Sequence, residues 1–528
     1  MKFARRTFAP ILTGAALVAL GLLSTAGPAV ASHNQRAMFE EDIGLMNNPS
    51  RTIYTLRQLG VGTIRLALHW RDVAPNSDGA RPAGFDATNP GAYPPGAWAS
   101  YDRVIQLAAA SGIEIDLLPT GPMPNWAIGP GVPAGDPDAR YWRPSSGEYG
   151  QFVQAAATRY SGHYSGLPRV HFWELYNEPN WGQSLQPQAN PGSSVLISPS
   201  VYRPMLDAAW NALQATGHGG DTIITGSLSP RGHDQPGFYL ASEPLPFLRA
   251  LYCLDSRYRP LTGGPAAAAG CGSPGSFRAA HPALFRASGI GIHPYPFNTP
   301  PTRSDNLANP NTVEFNQIPS LERTVNRLVG AYGSRARPAI FNTEYSYETN
   351  PPNASDHFVS PATAASYINW AEYISWRDPR LASYLQFLLY DPNPTQGQSI
   401  FGYGGFATGL VFYVGNRPKA DYFAFRMPLF LPRTSTRHGK KLEVWGSVRP
   451  AHFVGGPQFV RIQLNGHTVK RVRITNPRGY FDVRVAFRHG GTVRLAWSFP
   501  RSGFTGGYTD PLRPGQTAFS RSVRIRIH

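Results

Sequence analysis

Strand-like and helix-like segments alternate from about residue 36 to about residue 428, and this alternation restricts the fold more than any other feature of the chain. A strand, an amphipathic helix and a second strand bring the chain back in the same direction, so repeated units build a parallel sheet covered by helices. Eight such units can be drawn, with strands near Ala37 to Phe39, Thr63 to His69, Glu114 to Pro119, Val170 to Tyr176, Thr222 to Ser227, Gly289 to His293, Ala339 to Thr343 and Tyr384 to Leu389. The helices between them show apolar spacings of three and four, as in Ile53, Leu56 and Leu59, or Tyr149, Phe152, Val153 and Tyr160. Gly60 stops the first of these helices. Ser198-Pro199 and Ser360-Pro361 read as N-cap and first-turn pairs, and a helix near Lys419 to Arg426 closes the series. The expectation is an α/β protein with a (β/α)8 TIM barrel, whose functional side chains gather at the C-terminal ends of the strands.

Past Pro432 the period changes to two, in Val460, Ile462 and Leu464, then Asn465-Gly466, then Val483, Val485 and Phe487. Strand candidates at Leu442 to Val448, Val460 to Leu464, Thr468 to Ile474, Phe481 to Phe487, Val493 to Ser498 and Ser522 to Ile527 predict a C-terminal β-sandwich, immunoglobulin-like or fibronectin-like. The expected division is a signal peptide over 1–31, the barrel over 32–432 and a basic sandwich over 433–528. The chain has 41% hydrophobic residues, enough to fill both cores.

The first residues, Met1-Lys2-Phe3-Ala4-Arg5-Arg6, are basic, Ile11 to Leu23 is apolar, and Ala29-Val30-Ala31 is a small-residue cleavage pattern. A secreted protein cleaved after Ala31 is expected. Arg5-Arg6-Thr7-Phe8 leaves a twin-arginine route open beside the general one. No other apolar run approaches the ~20 residues a membrane helix needs, so no transmembrane segment is expected. In an oxidising compartment the two cysteines, Cys253 and Cys271, are expected to form a disulfide stapling one Gly/Ala/Pro-rich loop.

Charge is uneven along the chain. The net charge is +17, and from Arg433 onward 18 Lys/Arg stand against three Asp/Glu, which leaves the barrel region nearly neutral. A basic appendage suits an anionic cell-envelope polymer, an acidic polysaccharide or a lipid headgroup surface, but an ordinary solvated sheet face carries the same alternation of arginine and apolar residues. Nucleic acid is not expected as a partner.

Two of the predicted strands end in a carboxylate. Trp173-Glu174-Leu175-Tyr176-Asn177-Glu178-Pro179-Asn180 closes the fourth, and Ile340-Phe341-Asn342-Thr343-Glu344-Tyr345 closes the seventh. Paired carboxylates at barrel strand ends suggest glycoside hydrolysis, which in its retaining form sets them about 5 to 5.5 Å apart. Asn-Glu-Pro after the fourth strand and Thr-Glu-Tyr after the seventh resemble clan A glycoside hydrolases, most closely families 39 and 5, over roughly residues 36 to 432. The resemblance implies a retaining enzyme with Glu178 as general acid/base, Glu344 as nucleophile and Asn177 hydrogen-bonding the sugar 2-hydroxyl.

Arg65, within the apolar second strand, needs a carboxylate partner; by the family pattern this is Glu344, and otherwise another barrel acid. His293-Pro294-Tyr295 resembles the clan's histidine and tyrosine around the nucleophile, so Tyr295 is expected to hydrogen-bond Glu344, while His293 is either a site residue or a satisfied core histidine. Glu174 and Glu348 are rival carboxylates, the first within a strand and the second beyond the turn. Sugar faces pack on aromatic rings, and Trp70, Trp126, Trp142 and Trp181 follow the second, third and fourth strands. Trp126 is the expected platform, and at least two of the four are expected to plug loops onto the barrel. The family usually has a tryptophan at the end of the eighth strand; here the chain reads Gln386-Phe387-Leu388-Leu389-Tyr390-Asp391, and Tyr390 is the expected substitute.

There is no His-Glu-x-x-His, Cys-x-x-Cys, phosphate loop or dinucleotide fingerprint, and no metal or cofactor is expected. The reading is a secreted glycoside hydrolase acting on O-glycosidic bonds of a polysaccharide or glycoconjugate; the alternative is a non-catalytic glycan-binding or cell-surface adhesion protein.

Overall fold

The computed structural model describes residues 35–304, 309–353, 357–393 and 406–528. The expected signal peptide lies outside the described residues.

Eight parallel strands close into a barrel in chain order: β1 Arg36–Glu40, β2 Thr63–His69, β3 Glu114–Thr120, β4 Phe172–Asn177, β5 Thr222–Leu228, β6 Gly289–Ile292, β7 Ala339–Asn342 and β8 Leu381–Phe387. Side chains alternate along each strand, so one set packs outward on the helices and the other fills the barrel. Met38, Phe172, Ile224, Phe341 and Leu385 form an apolar plug inside the barrel. Two residues further along their strands come Glu40, Glu174, Thr343 and Phe387, so the layer above the plug, toward the strand ends, is mostly polar.

β8 ends earlier than periodicity predicts. The Glu41 carboxylate accepts from the backbone N–H groups of Leu389 and Tyr390, at 2.7 and 3.1 Å, and Leu388 takes a left-handed φ of 70°. A side chain from the β1 loop thus replaces the ladder, and the chain turns away. The helix Pro49–Leu59 begins on the Asn48 side chain and ends on Gly60 at φ 81°, where a side chain would also run into Arg449. Ser360 caps Pro361–Arg377 as expected. Ser198 instead lies inside its helix and donates to Gln188.

The chain then builds two sheets. Strands β9 Leu429–Phe430, β11 Lys441–Ser447 and β14 Tyr480–Ala486 form one, in the order β14-β11-β9. β10 Ser435–Thr436, β12 Gln458–Leu464, β13 His467–Ile474, β15 Gly491–Ser498, β16 Thr517–Phe519 and β17 Val523–Ile527 form the other, in the order β10-β17-β15-β12-β13 with β16 against β15. Val444, Val460, Ile462, Leu495, Trp497 and Ile525 fill the space between them. Asn465-Gly466, both with positive φ, make the β12–β13 turn. β9 lies before residue 433, so the sandwich takes its first strand from the end of the expected barrel segment.

The smaller sheet packs on the barrel through Trp445 and Tyr480 against Trp376 and Tyr373. Beside them Arg449 and Glu372, each 1% exposed, pair at 2.6 Å, and Tyr480 donates to the same carboxyl at 2.7 Å. Cys253 and Cys271 form a disulfide; closing a loop of that size stabilises by roughly 3 kcal/mol in the chain-entropy model. Among the described residues no helix is long and apolar enough to cross a membrane.

Candidate active site

The polar layer is organised by Arg65, which points into the barrel from the middle of β2 and is 1% exposed. Its Nε and Nη2 donate to the two oxygens of Glu174, at 2.9 and 2.7 Å. Nη1 donates to Glu40 at 2.5 Å and to Glu344 at 2.7 Å, and Nη2 also reaches Asn177 Oδ1 at 2.8 Å. Glu344 is therefore one of three carboxyl partners, and the two-pronged contact, the stronger and more directional kind, goes to Glu174. The rival carboxylate Glu174 is the anchor of the arginine.

Glu178 stands just past the end of β4. Tyr176 and Glu178 both have positive φ, 80° and 38°, the sparsely populated region that persists where surrounding contacts over-determine it. Those contacts converge on Ser227 of β5. Its carbonyl accepts the Glu178 N–H at 2.9 Å, and its hydroxyl donates to Glu174 and accepts from Thr343, the residue before Glu344. β6 comes close enough to reach this point because Gly291 lacks a side chain that would strike Ser227. Asn180, fully buried, bonds Ser229 and Ser242 and ties the loop after β4 to the one after β5.

His293 lies between the two glutamates. Its Nδ1 is 2.8 Å from Glu178 Oε1 and its Nε2 3.4 Å from Glu344 Oε1. Tyr295 donates to the other oxygen of Glu344 at 3.0 Å. Oxygens of Glu178 and Glu344 and a His293 nitrogen all lie within 4.8 Å of one another. These three groups can reach a single cation, but the Arg65 guanidinium on Glu344 opposes a second positive charge there.

Burial decides the proton inventory. It pushes the Glu178 carboxyl up to about 8 and Glu40 likewise to about 8, with Arg65 opposing in both cases. His293 is driven well below its ordinary value by burial and by Arg65, so the ring is neutral and adds no charge to the site. Glu344 is pushed well up by burial, with Glu40 and Glu178 adding, while Arg65 and the Tyr295 hydroxyl oppose the shift without cancelling it. Glu344 accepts from both of those donors, whereas the hydrogen-bond partner of the Glu178 side chain is the neutral His293 ring. The two donors favour the charged form of Glu344, against the burial that raises both carboxyls.

Asn177, its carbonyl oxygen held by Arg65, lines a cavity of about 220 Å³ together with Glu40, Arg65, His69, Tyr141 and Trp181. Trp181 is the tryptophan that lines this cavity. Trp126 is placed elsewhere: its indole donates to Pro75 and its ring meets Trp70 and Phe85 edge-on, so it secures loops. Trp70, stacked on Phe152, and Trp142, bonded to Pro130, are buried in the same way. Tyr390, past the early end of β8, lines a different cavity of about 610 Å³ with Glu41, Arg51 and Tyr508. Phe387 takes the inward position at the end of β8 and packs edge-on to Tyr295, 6.3 Å between centroids.

Glu40, Asp116, Ser227 and Phe387 are the residues the sequence reading passed over. Glu40 shares a strand face with Met38, and Asp116 shares one with Leu118, so counting by two marks both as inward charges. Asp116 is pushed well up by burial and by neighbouring Glu174.

No protein-family model matches this sequence, and neither does any curated protein. Among solved structures the chain is similar to a family 39 glycoside hydrolase from Bacteroides cellulosilyticus WH2, at 14% identity over 86% of this chain and 80% of that one, with a TM-score of 0.45. A glucosidase from Croceicoccus marinus matches at 13% identity over 90% and 88% of the two chains, TM-score 0.45. A family 1 β-glucosidase from Thermotoga maritima matches at 14% over 72% and 85%, TM-score 0.44. Likenesses this distant carry no chemistry with them, and what the chain can do rests on its own side chains.

Proposed function

We propose that the protein is an exported retaining glycoside hydrolase acting on O-glycosidic bonds of a polysaccharide or glycoconjugate, with Glu344 as nucleophile and Glu178 as acid/base. The observation that carries this reading is the approach of the two carboxyls to within 4.8 Å at the ends of β4 and β7. That approach is nearer to the about 5 to 5.5 Å of a retaining pair than to the about 6.5 to 9.5 Å of an inverting one, which supports the retaining route.

In the first step Glu178 gives its proton to the glycosidic oxygen while Glu344 attacks the anomeric carbon, forming a glycosyl ester and releasing the leaving sugar. Glu178, now a carboxylate, takes a proton from water, which displaces Glu344 from the opposite face. Arg65 and Tyr295 hold Glu344 in place and spread its charge in the resting state. The Asn177 amide is set to donate to a sugar hydroxyl, and the rings of Trp181 and Phe387 offer apolar faces to the sugar. The disulfide suits an oxidising compartment, which supports export. Recovery of the chain from culture medium with Ser32 as its first residue tests export directly.

Incubation of the mature protein with a panel of neutral and acidic glycans, followed by NMR of the newly released anomer, tests the mechanism. A product that keeps the substrate's anomeric configuration is expected. Inversion would overturn the two-step route, and binding without cleavage would replace the enzyme by a glycan-binding protein.

The pH profile has a defined sign. Glu178 acts in its protonated form and Glu344 in its ionised form; the Glu178 carboxyl is raised to about 8, so kcat/KM is expected to fall tenfold per unit above that pH, with a separate acid limb set by Glu344. Glu178→Gln should remove this alkaline limb; an unchanged limb in the variant would assign the titration to another group.

A further inference from the structure

We propose that the outer face of the larger sandwich sheet is a binding surface for a linear acidic glycan, whose carboxylate or sulfate groups are received by cross-strand arginines centred on Arg461 and Arg471. Along β12, Val460, Ile462 and Leu464 turn into the core, which turns Phe459, Arg461 and Gln463 outward. The same alternation brings Arg471 and Arg473 of β13, Arg494 of β15, and Arg524 and Arg526 of β17 to this face. Register sets Arg461 directly opposite Arg471, Gln463 opposite Arg494 and Thr492 opposite Arg524.

Among the described residues none of these six arginines pairs with a carboxylate. From Arg433 onward the only Asp and Glu residues are Glu443, Asp482 and Asp510. The first two belong to the smaller sheet, and Asp510 pairs with Arg426 of the barrel. A solvated face normally mixes both signs, and like charges directly opposite each other across a sheet are destabilising. Here the repulsion is left standing on a face turned away from the barrel, which is occupied by Trp445 and Tyr480 of the other sheet.

The pair also has a shaped surround. Arg461 and Arg471 line a cleft of about 480 Å³ with Phe459, Ser498 and two prolines. Arg461 Nη2 donates to Ser498 Oγ at 3.1 Å, and the Arg471 guanidinium lies 3.8 Å over the Phe459 ring. Both forks are thereby oriented, and a planar fork matches the paired oxygens of a carboxylate or sulfate. Strands about 4.8 Å apart repeat these charges across the sheet, which suits a chain bearing anions at regular intervals.

The aromatic rings distinguish the class of polyanion. Sheet surfaces that take single-stranded nucleic acid leave ring faces open for bases. Here Arg471 covers Phe459 and Arg494 covers Phe519, at 4.1 Å, so stacking positions are already filled. The surface lies on a different domain from the barrel mouth, and its occupancy does not depend on the catalytic reading.

Binding of the intact chain to polygalacturonate, dextran sulfate, neutral dextran and double-stranded DNA, each across a salt series, tests the proposal. Binding to at least one acidic glycan and not to neutral dextran, weakening as salt rises, is expected, and the preferred polymer identifies the anionic group. Arg461→Gln combined with Arg471→Gln should weaken that binding by about tenfold or more and leave the melting temperature unchanged or higher, because the variant loses a repulsive pair. Equal binding by variant and wild type, failure to bind either acidic glycan, or equal binding of neutral dextran would overturn the proposal. Tighter binding of DNA than of both glycans would assign the face to nucleic acid instead.

Discussion

Glu344→Gln is expected to fold normally and to lose at least about a thousandfold in kcat/KM, the scale lost when a covalent nucleophile is removed. The amide keeps the shape of the side chain but cannot attack the anomeric carbon. Arg65 still has Glu174 and Glu40, so the polar layer stays neutralised. Thermal stability should be equal or slightly higher, since a carboxyl that burial disfavours in its charged form is gone. Glu178→Gln is expected to behave differently: a loss of about 10²–10⁴ on natural glycosides, the range for general acid–base catalysis, with much of the first step recovered on substrates whose leaving group needs no proton. Single-turnover kinetics with an activated aryl glycoside separates the two. Recovery in Glu344→Gln, or none in Glu178→Gln, would reverse or refute the assignment of roles.

The largest effect on stability is expected from Arg65→Met. The guanidinium holds Glu174, Glu40 and Glu344 in a layer almost closed to water, with exposures of 0, 8 and 13% for the three carboxyl side chains. Removing one partner of a buried charge network typically costs about 3–5 kcal/mol, because the opposite charges remain behind without compensation. The loss should depend on pH in a known direction. Without Arg65 the nearby carboxyls hold their protons more tightly in the folded state than in the unfolded one, and folding is then favoured by acid. Denaturant unfolding at pH 7 and pH 5 should show a deficit at the higher pH that narrows at the lower. Arg65→Lys should fall between the two, since it restores a charge but not the fork that fits Glu174. A methionine variant as stable as wild type at pH 7 would mean that the carboxyls do not depend on this cation.

The approach of Glu178 and Glu344 illustrates what local pattern conveys. Each glutamate follows a short hydrophobic run that reads as a strand, and the helical spacing between the runs implies a parallel barrel, whose strand ends meet on one side. Neither inference needs contacts beyond a few residues. Tyr390 shows where such inference stops: its position at the end of β8 depended on the strand continuing, and the Glu41 side chain, over three hundred residues away in sequence, ends the strand first. Trp126 is similar, because which tryptophan faces a cavity and which secures a loop is set by packing against Trp70 and Phe85.

The sequence by itself determined the order of the elements, the barrel and the sandwich they form, and the two strands that end in glutamates, because periods of two and 3.6 residues are properties of the local chain. Only the tertiary structure decided which inward side chains share a layer: that Arg65 binds Glu174 most closely, that His293 lies between the two glutamates, and that six arginines meet on one sheet face without a carboxylate. Those relations follow from strand register and barrel closure, and the location of the protons follows from the burial that closure creates; both arise from contacts between residues far apart in the chain.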